Sequence, residues 1–402
     1  MMPNIVLATA SVAFEERLRN AFGGSLNGEL QRVWSEDYAD GDHSRVVSEL
    51  SLNAPGVVTL GPNLSAETAL ALAQSFDREH PEISVVIVAD PTPTLWQDAL
   101  RAGVRDIVAP GADPAELRAA IERAMDTAQR RRHNLTGGDN NGEPGGRVIT
   151  VLSPKGGSGK TTVATNLAVG LARQAPNQVV LVDLDLQFGD VATALQLQPE
   201  HTMFDAANAP SLDTTTLKVF LTAHASGLYA LCAPDSPAKG ESITSEKVAR
   251  VLDLLAQEFA YVVVDTSAGL HENTLAAIEE SSDLIALCAM DVPSVRSLHK
   301  ELTALDELGM TNASRHFVLN RADSRVGLAI EDVQGLVGME VHVQIPSSRN
   351  IPLSTNQGMP VLTSDQRSPV ARQLQQMVNR FTETTAGSRP GGGFRLFKKE
   401  AR

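Results

Sequence analysis

The sequence predicts an α/β protein built from two doubly wound domains in tandem. Three observations carry this. Short apolar runs that read as buried strands alternate with longer helical patterns along both halves of the chain. A polar stretch rich in Gly and Asn, residues 131–146, separates the halves and has no hydrophobic period, as expected of a flexible linker. The length of 402 residues holds two or three domains of roughly 100–200 residues each. Hydrophobic residues at 42% and charged residues at 20% are ordinary for a globular chain and exclude a mostly disordered one. No apolar run approaches the roughly 18–20 residues of a spanning helix. The opening MMPNIVLATASVAFEERL lacks a basic n-region and reads as a first strand and helix, not a signal peptide. Two cysteines, Cys232 and Cys288, make no disulfide framework, so a cytoplasmic protein is expected. The net charge of −14 argues against a surface built to hold nucleic acid.

In the first domain, residues 1–130, strands are expected at Asn4–Ala8, Gly56–Leu60, Ser84–Ala89 and Asp106–Ala109, with helices at Ala66–Arg78 and Pro114–Arg130. Asp113 before Pro114 supplies an N-cap followed by proline in the first turn. In the second domain, residues 147–385, strands are expected at Val148–Leu152, Val179–Val182, Leu228–Cys232, Tyr261–Val264, Leu284–Ala289 and His316–Leu319. Strands spaced by helices imply parallel sheets covered on both faces, with ligands at the carboxyl ends of the strands. Residues 386–402 form a Gly-rich spacer and a basic-aromatic tail, FRLFKKEAR. The tail reads first as a solvated terminus. Weak, avidity-dependent membrane contact is the second reading.

The most specific chemistry follows the first strand of the second domain. Lys155-Gly156-Gly157-Ser158-Gly159-Lys160-Thr161-Thr162 opens a helix at Val163. Strand, glycine loop and helix is the context in which this pattern binds phosphate. The glycines let backbone N–H groups wrap phosphate oxygens at a helix N-terminus. Lys160 would reach the terminal phosphates and the Thr161 hydroxyl would ligate Mg²⁺. Two later strands end in carboxylates. Asp183 and Asp185 follow Val179–Val182, and Asp265 closes Tyr261–Val264. Carboxylates at such strand ends hold a metal shell or orient water. Asp190 reads as a helix cap.

The run KGGSGKTT, with proline at 154 where the general phosphate loop has glycine, resembles the deviant phosphate loop of the MinD/ParA ATPases. The resemblance covers residues 147–375 and implies the phosphate-loop NTPase fold, with ATP and Mg²⁺ as ligands. It implies that Lys155 reaches across an ATP-sandwich homodimer to the partner's nucleotide. Asp185 matches the hydrolysis-linked aspartate, Asp183 sits beside metal and phosphates, and Asp265 holds Mg²⁺ through water. Asn320, followed by Asp323, resembles the base-contacting N-x-x-D, and Pro346 falls in what looks like the adenine-side loop. For Asn320 a plain turn role at a strand end stays open.

Residues 3–130 resemble a response-regulator receiver, a flavodoxin-like fold. The residues for its chemistry are missing: Thr9 and Ala10 follow strand one, Leu60-Gly61-Pro62 ends strand three, Ala109 stands at the lysine position, and Asp90 stands where receivers use a hydroxyl. A pseudo-receiver used for docking or dimerisation is expected. Together with VDLDLQFGD, this narrows the resemblance to the CpaE/TadZ branch. That implies an ATPase, slow and partner-stimulated, that localises or regulates Tad/Flp-type pilus assembly. Its implied partners are pilus and secretion proteins, including the secretion ATPase, and its implied location is the cytoplasm, at the inner face of the cell membrane or the pole. The alternatives are a septum-site or DNA-partition positioning ATPase, or an ATP-binding polar scaffold with little hydrolysis.

Overall fold

The computed structural model describes residues 5–23, 30–35, 38, 43–51, 55–135, 146–323 and 327–386. The expected tail motif at 394–402 and most of the expected linker therefore lie outside the described residues. Among its described residues the N-terminal domain carries five parallel strands: β1 (Ile5–Ala8), β2 (Leu30–Val33), β3 (Val57–Leu60), β4 (Ser84–Val88) and β5 (Val104–Val108). Their order is β2-β1-β3-β4-β5, consistent with a flavodoxin-like domain. Two apolar clusters pack on opposite faces, one around Phe76, Leu72 and Ile87, the other around Phe14, Leu18 and Leu117. β1, β3 and β4 are buried along their whole length, which is why they read as continuous apolar runs. β5 starts at Val104, two residues before the expected position; the charged Arg105, buried within it, interrupts the apolar run. The helix that opens at Pro114 continues to Leu135, so the first five residues of the composition-defined linker are helical.

Among its described residues the second domain holds eight strands: β6 (Arg147–Leu152), β7 (Val179–Leu184), β8 (Thr222–His224), β9 (Leu228–Leu231), β10 (Tyr261–Thr266), β11 (Asp283–Ala289), β12 (Ser314–Asn320) and β13 (Val343–Ile345). The order is β13-β12-β11-β6-β10-β7-β9-β8, parallel except for β8 against β9. The chain winds outward on one side of β6 through β7 and β9, then returns to build the other side through β11, β12 and β13. That reversal puts a crevice at the carboxyl end of β6, the usual ligand position in an open α/β sheet. The helix Lys160–Gln174 is buried on nearly all sides because it lies between the sheet and the long helix Pro369–Ala386. No helix among the described residues is long and apolar enough to cross a membrane. Cys232 and Cys288 are free and buried, and burial pushes both thiols up to about 12.

A charged node closes the opposite end of this sheet. Arg147 donates to both oxygens of Asp283, at 2.9 and 2.8 Å, and His316 Nε2 lies 2.8 Å from Asp283 Oδ1. Arg147 also donates to the Phe381 carbonyl and lies over its ring, tying the C-terminal helix to the sheet. Burial alone would raise the Asp283 pKa, yet hydrogen bonds from His316 and Arg147 hold it below the usual carboxylate range. A depressed carboxylate contributes stability above its unfolded pKa and loses it as pH falls through the folded value. Asp283→Ala leaves Arg147 without its partner and is expected to cost about 3 kcal/mol, read as a lower thermal midpoint. The variant should also lose part of the acid-side fall in stability below about pH 4.

Candidate functional site

The glycine loop leaves β6 and ends on Gly159, whose φ of +100° places it in the left-handed region. Glycine is needed there twice over. A side chain would be strained at that φ, and its Cβ would stand 2.6 Å from the Asn320 amide nitrogen. Gly156 and Gly157 face open space, with Gly157 also at positive φ. The loop thus presents bare backbone to a cavity of about 640 Å³. The cavity is lined by Gly156, Gly157, Gly159, Lys160, Thr161 and Thr162 from the loop and helix start, with Asp185, Asp190, Asn320 and Arg321 around them. Ser158 faces inward, buried, and its carbonyl accepts from Asn320 Nδ2 at 2.8 Å.

The two strand-end carboxylates are brought together. Asp183 on β7 and Asp265 on β10 are cross-strand neighbours, 1% and 0% exposed. Asp183 accepts from the Asp185 and Val191 N–H groups, both at 3.1 Å, so it shapes the loop between them. Neither oxygen of Asp265 has a hydrogen bond of ordinary geometry, although the Thr161 hydroxyl lies beside it. Burial lifts the Asp265 pKa to about 7, with the Thr161 hydroxyl and the Lys160 ammonium pulling it back only in part. Burial, and then the charge of Asp265, lift Asp183 well above its ordinary value. Buried carboxylate oxygens without hydrogen-bond partners, beside a hydroxyl, fit a divalent cation. No cluster of three or more His, Cys, Asp or Glu side chains able to hold a metal occurs among the described residues. A cation here would therefore complete its shell with water and phosphate oxygens, the usual habit of Mg²⁺.

The other expected site residues take distinct places. Asp185 lines the cavity, and its Oδ1 accepts from Phe188 N at 3.3 Å. Lys155 is half-buried and does not line the cavity. Asn320 lines it, but both ends of its amide are engaged: Nδ2 donates to Ser158 O and Oδ1 accepts from Arg321 N at 2.9 Å. Asn320 is therefore a brace on the phosphate loop. Pro346 does not line the cavity, while the next two residues, Ser347 and Ser348, do. Asp323 accepts from Ser347 N at 3.3 Å, tying the two loops together. Asp190 stands at the N-cap position of the helix Val191–Ala194 but makes no capping bond with its side chain; it faces the cavity instead. Arg321 escapes the sequence reading altogether. It sits at φ +52° and its guanidinium donates to Gly157 O at 3.1 Å. Its position directly after the end of β12, on the phosphate-loop edge of the sheet, is the signal that would have found it.

Residues 149–361, more than half of the chain, match the CbiA family, described as the CobQ/CobB/MinD/ParA nucleotide binding domain. The chain belongs to this family. Among curated relatives of this MinD/ParA-type domain, the septum site-determining protein MinD of Escherichia coli K12 is 30% identical over 229 residues, 54% of this chain and 84% of the relative. MinD of Thermotoga maritima is 25% identical over 246 residues, 59% of this chain and 88% of the relative. Among solved structures, MinD from Pyrococcus horikoshii in complex with Mg-ADP superposes with a TM-score of 0.54 at 23% identity, covering 60% of this chain and 97% of that one. A ParA family ATPase from Chlorobium tepidum gives a TM-score of 0.54 at 24% identity, covering 58% and 98%. At these identities the structural likeness establishes the fold of the MinD/ParA-type domain.

The carboxylate pair gives that domain a pH signature. An acid whose pKa is raised on folding holds its proton more tightly in the native state. Between about 4 and 7 its contribution to stability therefore falls as pH rises. Metal-free protein is expected to lose thermal stability from pH 5 to pH 7.5, and Asp265→Asn is expected to flatten part of that slope, the remainder coming from buried Asp183. Melting curves in chelator at several pH values check this, and an unchanged slope in the variant contradicts it.

Proposed function

We propose that this chain is an ATP-dependent dimerisation switch that binds Mg²⁺–ATP, closes on a second copy and reopens after hydrolysis to ADP and phosphate. The observation that carries the reading is the buried Asp183–Asp265 pair, with both Asp265 oxygens lacking a hydrogen bond of ordinary geometry, beside a glycine loop and helix N-terminus, at the point where the strand order reverses. In this reading the N–H groups of residues 156–162 and the Lys160 ammonium bind the phosphates. Their partial and full positive charges meet the negative charge that develops during transfer. The Thr161 hydroxyl and Asp265, with Asp183 behind them, hold the metal. When bound, Mg²⁺ neutralises phosphate charge and polarises the transferred group. Asp185 orients the attacking water. Lys155, on the same loop but outside the cavity lining, reaches the nucleotide of the second copy. Exposed Phe188 beside Asp185, 74% accessible, gives the closing face an apolar contact.

Within that class we assign the switch to localising or regulating Tad/Flp-type pilus assembly. The support is the run VDLDLQFGD and the N-terminal receiver-like domain. The septum-site relatives favour a second reading, a positioning ATPase for division. Deleting the protein in its host separates the two. Loss of pili with normal septa is the expected outcome, whereas misplaced septa support the second reading. The N-terminal domain serves as a pseudo-receiver. Thr9, where an acidic residue would be needed, donates its hydroxyl to Asn63 at 2.7 Å. Incubation with a small phosphodonor is expected to leave the domain unmodified, and a phosphoaspartate found by mass spectrometry contradicts that role.

A further inference from the structure

The N-terminal domain is seated on the second domain through buried charge. Lys218, 4% exposed at its side chain, lies 3.3 Å from Asp77 of the N-terminal domain and 3.3 Å from Glu258 of its own domain. Thr215 donates to the other Asp77 oxygen at 2.7 Å. Arg105 crosses in the opposite direction, donating to Asn177 O at 3.2 Å and lying over the Phe259 ring. Gly103, at φ +75°, leaves no room for a Cβ against the Asp77 side chain. Sliding one domain over the other would strand these charges in a desolvated interface, a costly change that fixes one register.

One short segment joins this interface to the nucleotide cavity. Asp190 and Ala194 line the cavity, and Gln196, Leu197 and Glu200, a few residues on, line a second cavity of about 600 Å³ between the domains. Trp96 of the N-terminal domain lines the same cleft. Arg101 of that domain meets Glu200 at 3.0 Å. Gln196, at φ +52°, donates to Gln357 O at 2.6 Å and so is tied to the loop that borders the nucleotide cavity near Asn356. A second connection runs through β7. Asn177, which receives Arg105, lies just before its start, and Asp183 stands near its end.

We propose that the N-terminal domain reads the nucleotide state: residues 190–200 carry a change at the cavity into the interdomain cleft, and the Lys218 latch keeps the two domains in the register that receives it. This rests on the nucleotide-binding reading above. A coupling of this kind is reciprocal, so weakening the latch must change nucleotide affinity, by about 5- to 150-fold for typical coupling.

The chain contains two tryptophans, Trp34 and Trp96. In the full-length Trp34→Phe protein, Trp96 is the sole indole and reports the cleft. Nucleotide binding is measured separately with a fluorescent, non-hydrolysable ATP analogue and Mg²⁺. The expected result is a Trp96 emission change that saturates with binding and disappears in Lys160→Ala. Lys218→Met is expected to reduce the change and shift affinity at least about fivefold. If Lys218→Met does not fold, Glu200→Gln replaces it. Its ion pair with Arg101 is exposed and of small stabilising effect, so the fold survives, and because Glu200 lines the cleft beside Trp96 the emission change is expected to shrink by half or more. Bound nucleotide with silent Trp96 overturns the proposal. So does a full response with unchanged affinity in the variant that folds. No analogue binding in the unmutated chain overturns the nucleotide reading itself and takes this proposal with it.

Discussion

Lys160→Ala is expected to abolish ATP binding at micromolar concentrations. Lys160 is 8% exposed, at the first turn of its helix and on the wall of the cavity. A hydrogen bond to a charged group contributes about 1.5–3 kcal/mol, which is roughly 10- to 150-fold in affinity. The loss here should reach the upper end. The same ammonium offsets part of the charge on Asp265, so its removal leaves the carboxylate pair still less compensated and adds to the repulsion of phosphate. Isothermal titration with ATP and Mg²⁺ reads the effect. Affinity within threefold of the unmutated chain would sink the assignment of the cavity.

Asp185→Ala is expected to separate binding from hydrolysis. Asp185 lines the cavity, with Oδ1 engaged by Phe188 N. Among the described residues its Oδ2 has no hydrogen-bond partner within the protein, leaving it for a water. Loss of a positioned general base or water-orienting group costs about 10²–10⁴-fold in rate. Phosphate release should fall by that range while ATP affinity stays within a few fold. The ATP-bound dimer should then accumulate, visible as a shift in size-exclusion elution with ATP and not with ADP. Unchanged turnover would move the hydrolytic role elsewhere, with Asp190 on the same wall as the next candidate.

The two halves of the site were legible to different degrees. Lys160, Thr161 and the glycines are consecutive, so their chemistry is written in one local pattern. Asp183 and Asp265 stood out as carboxylates closing apolar strands. Their adjacency follows only from β10 lying between β6 and β7. The bond that Asn320 makes to the phosphate loop is not legible in the sequence for the same reason. Its bond to Ser158 spans 162 positions, and only the packed sheet shows the amide bracing the loop. Strands β2, β8 and β13 are not legible in the sequence either. All three are sheet edges, three or four residues long and partly exposed, so they lack the continuous apolar run that betrays a central strand.

By itself, the sequence determined that this chain has two α/β domains and that one holds a phosphate loop. These properties are local, since strand burial, helix capping and loop geometry depend on neighbouring residues. Tertiary structure alone decided what faces the cavity and how the domains meet. Asp77 and Lys218 lie 141 positions apart, and no periodicity links them. Each is costly to bury alone, and only the docked domains place one against the other. The buried charges between Asp77, Lys218 and Glu258 hold the described domains in one arrangement, because separating them would leave desolvated ions without partners.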